Sequence, residues 1–362
     1  MTRLRSMALG LLGLLAATSV IACGNSSSSG SSSTNQDGSG AKRYSAVLSN
    51  GFVGNDWRVA MQRAPEVLTK KPPLQDRVSS LKLFTTQNND VGQQNAALQT
   101  AIQQKPDILL IDASSGTAQN GILQRACSAG ITVVTFDVLA TAPCAWKLSP
   151  DFSAIGRARG EWMAKTIGGE GTVFVDWGIS GLPATEDQAK ATMEVLDRYP
   201  RIKTYRYYGQ VTPGGETSAF TQLYAAHPDV KGIVSQSYSA YAMRIMVRAG
   251  ARPVPTAGWA FNISLQTCKQ YRVPCVMIGN PAWMSAEALR LAIRIRDGEI
   301  TGEPRLVPFP GPVFVSNDVP VDNTNLGPVS SLERAVLPGA PGGAMVPVSP
   351  PWASMTVAEA LG

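Results

Sequence analysis

Short apolar runs separated by helical patterns constrain the fold of this chain more than any other feature of its sequence. From residue 44 onward, runs such as YSAVLSN, DILLID and ITVVTFD are apolar almost throughout, instead of alternating between apolar and polar side chains. Parallel strands that helices cover on both faces have this composition. The predicted strands span residues 44–50, 80–85, 107–112, 131–137, 172–178, 202–209, 232–236, 255–259 and 274–279.

Helix-sized segments lie between these strands. Residues 90–104 open with an acidic residue and end before Lys105-Pro106, and residues 285–296 carry apolar side chains at three- and four-residue spacing. Repeated βα units of this kind form open, doubly wound parallel sheets with right-handed crossovers. The sequence therefore predicts an α/β protein in which ligands bind outside the carboxyl ends of the strands.

The first forty residues have a different character. MTRLRSMALGLLGLLAATSVIACG has basic residues at Arg3 and Arg5, then an apolar segment, then Cys23. The VIACG end resembles the lipobox of bacterial lipoproteins, which implies that residues 1–22 are a signal peptide and that Cys23 is acylated. Acyl chains anchor a protein to a membrane, and the Ser/Gly-rich residues 23–41 are expected to form a flexible tether. The alternative is a plain signal peptide followed by a chance cysteine. Either way, we expect an extracytoplasmic location.

Charge and cysteine content narrow the function classes. Loss of the two N-terminal arginines leaves 30 of the 32 basic residues against 26 acidic ones, a net charge of +4. These basic residues are scattered, which argues against a nucleic-acid partner. Of the five cysteines, four remain once Cys23 is acylated. An even number of cysteines in an oxidising compartment favours disulfides, and their order suggests two local pairs. The pairs are Cys127–Cys144 and Cys268–Cys275.

Signatures of metal sites and of catalysis are missing from the sequence. No C-x-x-C spacing exists, and His227, which we expect in a surface loop, is the only histidine, so zinc binding is disfavoured. GGEG lacks the Lys-Ser/Thr of a P-loop, and GISG is not a nucleophile elbow. The sequence therefore predicts neither an enzyme nor a cofactor.

Polar and aromatic residues follow the predicted strands instead. Amides and a carboxylate can form paired hydrogen bonds, while Trp and Phe offer flat apolar faces. A cleft lined in this way suits a neutral, polar-edged molecule such as a sugar. The alternatives are core packing for each Trp, and a structural cap or ion pair for the aspartate. The candidate ligand-binding residues are Asn50, Phe52, Asn55, Trp57, Asp137, Trp177, Gln236, Trp259 and Asn280.

The order of several segments carries a family resemblance. The lipoprotein-like start, LSNGFVGNDWR, KPDILLIDASS, AGITVVTFD and MIGNPAW together resemble the ribose-binding-protein-like group of type I periplasmic binding proteins, over most of residues 42–318. The resemblance implies two Rossmann-like lobes that close on a small-molecule ligand by a hinge motion, and delivery of that ligand to an ABC permease. It implies three hinge crossovers, near residues 148–153, 279–281 and 305–311.

The lobes are then discontinuous in sequence. The N-terminal lobe is expected to comprise residues 42–149 and 282–305, and the C-terminal lobe residues 150–281 and 306–320. A Pro/Gly-rich tail, residues 321–362, is expected either to wrap over the body or to stay mobile.

The resemblance also assigns roles within the site. Asn50 and Phe52 fall on a polar and an aromatic contact, and Asp137 falls on the acceptor of a sugar hydroxyl. Trp259 falls where an aromatic ring stacks on the sugar. Gln236 and Asn280 fall on polar positions, the latter at the hinge.

Three positions depart from the pattern of the sugar binders. Val138 and Gln188 stand where arginine is common, and Ala260 stands where aspartate is common. Fewer donors and acceptors then face a hydroxylated ligand, and unpaired ligand hydroxyls cost about 1–3 kcal/mol each. These departures predict a less charged, more aromatic pocket for a modified sugar, a polyol or a more apolar compound.

Two functions are compatible with the same cleft. One is a solute-binding lipoprotein of an ABC importer, and the other is a tethered ligand sensor for a membrane receptor. A surface enzyme is disfavoured because no catalytic constellation is present. The effector domain of a cytoplasmic repressor is excluded by the signal segment and by the absence of a DNA-reading helix.

Overall fold

Two largely parallel β-sheets, each covered by helices, form the body of the protein. The computed structural model describes residues 41–309, 313–316, 329–331, 336–345 and 351–362. Helices lie between most successive parallel strands in both sheets, so the predicted α/β fold with two doubly wound lobes is confirmed. Within the described residues, none of the helices combines the length and the apolar character needed to cross a bilayer.

The sheet of the first lobe has the order β11-β5-β4-β3-β1-β2, and all its strand pairs are parallel. Its central strand β3 is fully buried, as its unbroken apolar sequence predicts. The strands are β1 Tyr44–Asn50, β2 Val78–Thr85, β3 Ile108–Asp112, β4 Thr132–Phe136, β5 Trp146–Ser149 and β11 Leu306–Pro308. The helices of this lobe are α1 Asp56–Leu68, α2 Val91–Gln103, α3 Asn120–Ser128 and α9 Met284–Arg296.

The sheet of the second lobe has the order β13-β12-β10-β9-β8-β6-β7, and only the β10–β12 pair is antiparallel. The strands are β6 Glu170–Asp176, β7 Arg201–Tyr207, β8 Val230–Val234, β9 Thr256–Trp259, β10 Cys275–Gly279, β12 Val313–Ser316 and β13 Val329–Ser331. The helices are α4 Phe152–Thr166, α5 Pro183–Leu196, α6 Pro213–Ala226, α7 Ser239–Arg248 and α8 Asn262–Tyr271. A 3₁₀ turn, Pro351–Ala353, and helix α10, Val357–Leu361, end the chain.

The chain passes between the lobes close to the predicted crossovers. It leaves the first sheet after Ser149, returns after Gly279, and leaves again between Pro308 and Val313. Asp151 caps α4 immediately after the first passage, because its carboxylate accepts a hydrogen bond from the N–H of Ala154 at 2.8 Å.

One predicted lobe boundary needs correction. Residues 306–308 were expected in the second lobe, but as β11 they pair with β5 at the edge of the first sheet. Strand β5 was not predicted either; it has only four residues, and the last two fall within the predicted crossover at residues 148–153. Without β5, the sequence offers no partner for β11 in the first lobe.

Both predicted disulfides are confirmed. Cys127–Cys144 ties the end of α3 to the loop before β5, and Cys268–Cys275 ties α8 to β10, each with a Cα–Cα distance of 6.3 Å. His227 lies directly after α6, half-buried, with its ring stacked at 3.8 Å on Tyr205. Cys23 and the expected tether lie outside the described residues, apart from Ala41.

Candidate ligand-binding cleft

A cleft between the two lobes collects side chains from both. It has an empty volume of about 550 Å³, part of it open to solvent. The lobes touch across it, since the side-chain amide of Asn55 donates a hydrogen bond to the carbonyl of Val211 at 3.3 Å. The lining residues are Phe52, Asn55, Trp57, Arg58, Asp137, Phe152, Ile179, Leu182, Ala184, Thr185, Gln188, Val211, Trp259, Phe261, Asn280 and Met345.

A buried polar cluster forms the first-lobe side of the cleft. The Arg58 guanidinium forms an ion pair with Asp112, and its Nη1 donates to the Asn50 side-chain oxygen at 2.9 Å. Its Nη2 lies 3.9 Å from Asp137 Oδ2. Asn280 completes the cluster by donating its side-chain N–H to Asp137 Oδ1 at 3.1 Å.

Local backbone geometry orients the Arg58 and Asp137 side chains of this cluster. Asn55 caps α1 by accepting the N–H of Arg58 at 2.9 Å, which fixes the first helical turn from which Arg58 projects. Asp137 has a φ of +54°, a left-handed conformation that Asp tolerates better than most residues. This bend follows β4 and turns the carboxylate into the cleft.

Burial dominates the electrostatics of the two carboxylates. It raises the pKa of Asp112 to about 8, although the nearby Arg58 charge acts in the opposite direction. Burial also raises the pKa of Asp137, against the effects of Arg58 and of the hydrogen bond from Asn280. The side-chain oxygen of Asn280 is buried and has no hydrogen-bond partner among the described residues, so it is an acceptor available to a ligand.

Aromatic rings form the opposite side. Trp259 lines the cleft, and the Arg159 guanidinium lies behind it, 4.5 Å from the ring centroid. Phe261 stacks on Tyr238 with centroids 4.1 Å apart and planes 5° from parallel. Fixed rings of this kind offer flat apolar faces to the C–H groups of a ligand.

Arg159, which does not line the cleft itself, packs against the Trp259 ring of this aromatic side. It is 1% exposed, and its Nη1 donates to the Gln188 side-chain oxygen at 2.9 Å. Its Nε and Nη2 have no hydrogen-bond partner among the described residues. Burial lowers the pKa of Arg159 to about 9, and the charge of Asp176 opposes this shift.

A second acidic cluster lies beneath the cleft in the second lobe. Asp176 accepts hydrogen bonds from the N–H groups of Gly178 and Gly209 at 2.7 and 2.8 Å. Glu216 is fully buried beside it and accepts the hydroxyl of Tyr207 at 3.0 Å. Burial raises the pKa of both acids, and the Asp176 charge raises that of Glu216 further.

The family follows from comparison with known proteins. Residues 46–300 match the periplasmic binding protein domain. The chain belongs to the periplasmic binding protein family. The family comprises solute-binding proteins, not enzymes, and the predicted resemblance is confirmed.

Relatives of this periplasmic binding protein include a xylitol-binding protein of Mycolicibacterium smegmatis, 24% identical over 49% of this chain and 52% of the relative. The chain therefore matches only about half the length of that curated relative. A solved ABC transporter solute-binding protein of Thermobispora bispora is 26% identical, with a TM-score of 0.68 over 74% of this chain and 84% of the other. Another, from Burkholderia graminis in complex with D-arabinose, is 18% identical, with a TM-score of 0.68 over 79% of this chain and 98% of the other.

The structure brings six of the nine predicted site residues of this binding protein together. The six that line the cleft are Phe52, Asn55, Trp57, Asp137, Trp259 and Asn280. The other three are buried and do not line it. Asn50 accepts Arg58 Nη1, Trp177 lies against the Arg206 guanidinium at 4.4 Å, and the Gln236 side chain donates to the Thr185 carbonyl at 2.7 Å.

Sequence reasoning missed several lining residues, of which Arg58 matters most. Arg58 ends the quoted LSNGFVGNDWR segment, where it reads as the polar face of a helix. It lies beside Asp137, so the cleft has a guanidinium although Val138 provides none. The prediction of a less charged pocket thus overlooked an arginine supplied from α1. Met345 was missed because it comes from the C-terminal tail, where no chemistry was predicted.

Proposed function

We propose that this protein binds a sugar or polyol between its lobes, closes on it, and presents the bound ligand to an ABC importer. The observation that carries the proposal is the cluster of Arg58, Asp137 and Asn280 facing aromatic rings. The Asp137 carboxylate accepts a hydrogen bond from one ligand hydroxyl, Arg58 Nη2 donates to a hydroxyl oxygen, and the free oxygen of Asn280 accepts a hydrogen bond from another hydroxyl.

The aromatic half supports the same ligand class. Trp259 and Phe261 from the second lobe would cover the C–H face of a ligand held by the first lobe. A ligand that touches both sides binds the closed state better than the open one and so shifts the population toward closure. The xylitol-binding relative and the relative that holds D-arabinose support polyols and pentoses as the first compounds to test.

A more apolar solute is the second candidate. Four aliphatic side chains, Ile179, Leu182, Val211 and Met345, share the cleft with the rings. A mainly apolar lining with a few fixed polar groups also suits small molecules that carry fewer hydroxyls.

The test is a thermal-shift screen followed by calorimetry on residues 41–362, which form one compact unit. The panel holds xylitol, D-arabinose, other pentoses, hexoses, nucleosides and aromatic acids. A compound at a hundred times its dissociation constant stabilises the folded state by about 2.7 kcal/mol, which gives a clear melting shift. Binding of polyols or sugars supports the proposal. Binding of aromatic acids alone favours the second candidate, and silence from the whole panel would overturn both.

Membrane attachment and the importer are parts of the same proposal. The lipobox-like VIACG segment supports acylation at Cys23 on the extracytoplasmic face. A Cys23→Ser variant is expected to be absent from the membrane fraction of cells, whereas the unchanged protein is expected to be found in it. Capture of ABC permease subunits by the ligand-loaded protein would support transport, and capture of a receptor alone would favour the sensor.

A further inference from the structure

The C-terminal segment of residues 336–345 is tied to the start of α8 in the second lobe. The buried side chain of Asn262 accepts the N–H of Leu337 at 2.9 Å and donates to the carbonyls of Leu337 and Ala340 at 2.9 and 3.1 Å. The backbone N–H of Asn262 also donates to the carbonyl of Ala344 at 2.7 Å. This position of the segment places the next residue, Met345, in the wall of the cleft.

Residues 351–362 lie on the first lobe. Arg63 on α1 donates to the carbonyl of Glu359 at 3.0 Å, and Lys71 forms an ion pair with the Glu359 carboxylate at 2.7 Å. The Trp352 ring packs edge-on against Trp283 at 5.6 Å. The described parts of the tail therefore contact both lobes and pack on the body.

A second cavity lies between α1, α10 and this segment. Its empty volume is about 600 Å³, part of it open to solvent, and its walls are mainly apolar. Met355, Val357 and Leu361 line it but do not line the cleft. Trp57, Asn280 and Met345 line both spaces, so these three residues form the wall between them.

Two members of this wall are fixed, and the third can move. Trp57 Nε1 donates to the carbonyl of Asn280 at 2.7 Å, and both residues are less than a tenth exposed. Met345 is half-buried, and its sulfur accepts the N–H of Asn280 at 3.0 Å. A thioether is a weak acceptor on an unbranched, adaptable side chain. The wall is therefore weakest at Met345.

We infer that Met345 is a specificity-determining residue that confines the ligand to the cleft and keeps apolar substituents out of the second cavity. The inference rests on the proposed function for its ligand class. A compact polyol or pentose fits on the cleft side of Met345. An alkyl chain attached to the same polyol would have to pass the Met345 side chain to reach the apolar cavity.

The test compares xylitol and D-arabinose with 1-O-hexylxylitol and hexyl D-arabinofuranoside by calorimetry. In Met345→Ala, the affinity for at least one hexyl probe divided by the affinity for its short partner is expected to rise tenfold or more relative to the same ratio in the unchanged protein. Met345→Leu restores a side chain of similar volume and should behave like the unchanged protein. Met355→Ala is the matched control, because it enlarges the second cavity without opening the wall. If Met345→Ala does not fold, Met345→Val opens a smaller gap and should act in the same direction.

An apolar probe separates this inference from the proposed function. n-Butylbenzene needs no hydroxyl contacts, and it should raise the melting temperature of Met345→Ala more than that of Met355→Ala, because only the former joins the second cavity to the cleft. If no sugar or polyol binds while n-butylbenzene shows this difference, the proposed function is refuted, but the role of Met345 as a barrier between the two spaces is supported. Equal responses of the two alanine variants to the hexyl probes and to n-butylbenzene would overturn the inference.

Discussion

Asp137→Asn separates ligand binding from folding at the centre of the cleft. Asn keeps the size of the side chain and tolerates the left-handed φ of +54° at this position. The variant loses the negative charge of the carboxylate, whose Oδ2 lies 3.9 Å from Arg58 Nη2. In the proposed complex this carboxylate accepts a hydrogen bond from a ligand hydroxyl. Hydrogen bonds to charged groups contribute about 1.5–3 kcal/mol, so the dissociation constant should rise by about 10- to 150-fold.

Stability should move in the other direction. Because burial raises the pKa of Asp137, its ionised form is disfavoured in the folded state relative to the unfolded chain. Such a carboxyl contributes stability below its unfolded pKa, and that stability is lost as the pH rises through the folded pKa. At neutral pH the ligand-free Asn variant should therefore melt no lower than the unchanged protein.

The assay is calorimetric titration with the panel compound that binds most tightly, paired with thermal melting of the ligand-free protein. Asp90→Asn is the control, because Asp90 caps α2 far from the cleft and Asn caps equally well. An unchanged dissociation constant for Asp137→Asn would remove Asp137 from the site. A lowered melting temperature with unchanged affinity would make its role structural.

Three further predictions follow from the same contacts. Trp259→Ala should weaken binding at least tenfold in calorimetry, and a fall in melting temperature with unchanged affinity would assign the ring to the core. Burial and the Asp176 charge raise the pKa of the Glu216 carboxyl, which Glu216→Gln removes. The melting temperature of the variant, relative to the unchanged protein, should therefore increase by about 2 °C or more between pH 5 and pH 8. A difference independent of pH would contradict this. Replacing Cys127 and Cys144 by Ser should cost about 3 kcal/mol in denaturant unfolding, from a sequence separation of 17, and no loss would refute the loop-closure argument.

The pattern of apolar runs was sufficient for the fold because it reflects local physics. A strand buried on both faces must be apolar throughout, so β1, β3 and β10 were found within one residue of their observed ends. Strands β5 and β11 have only four and three residues, too few to form a clear apolar run. Both were missed, and with them one lobe boundary.

Strand ends, cysteine order and the family resemblance are all contained in the sequence, and they predicted the two-lobe architecture, both disulfides and six residues of the cleft lining. Which side chains share one space depends instead on how distant segments of the chain pack together. Arg58 takes part because α1 begins beside Asp137, whereas Asn50, Trp177 and Gln236 are buried and do not line the cleft. Met345 reaches the wall of the cleft through contacts 75 or more residues apart in the chain, a separation over which local sequence patterns carry no information.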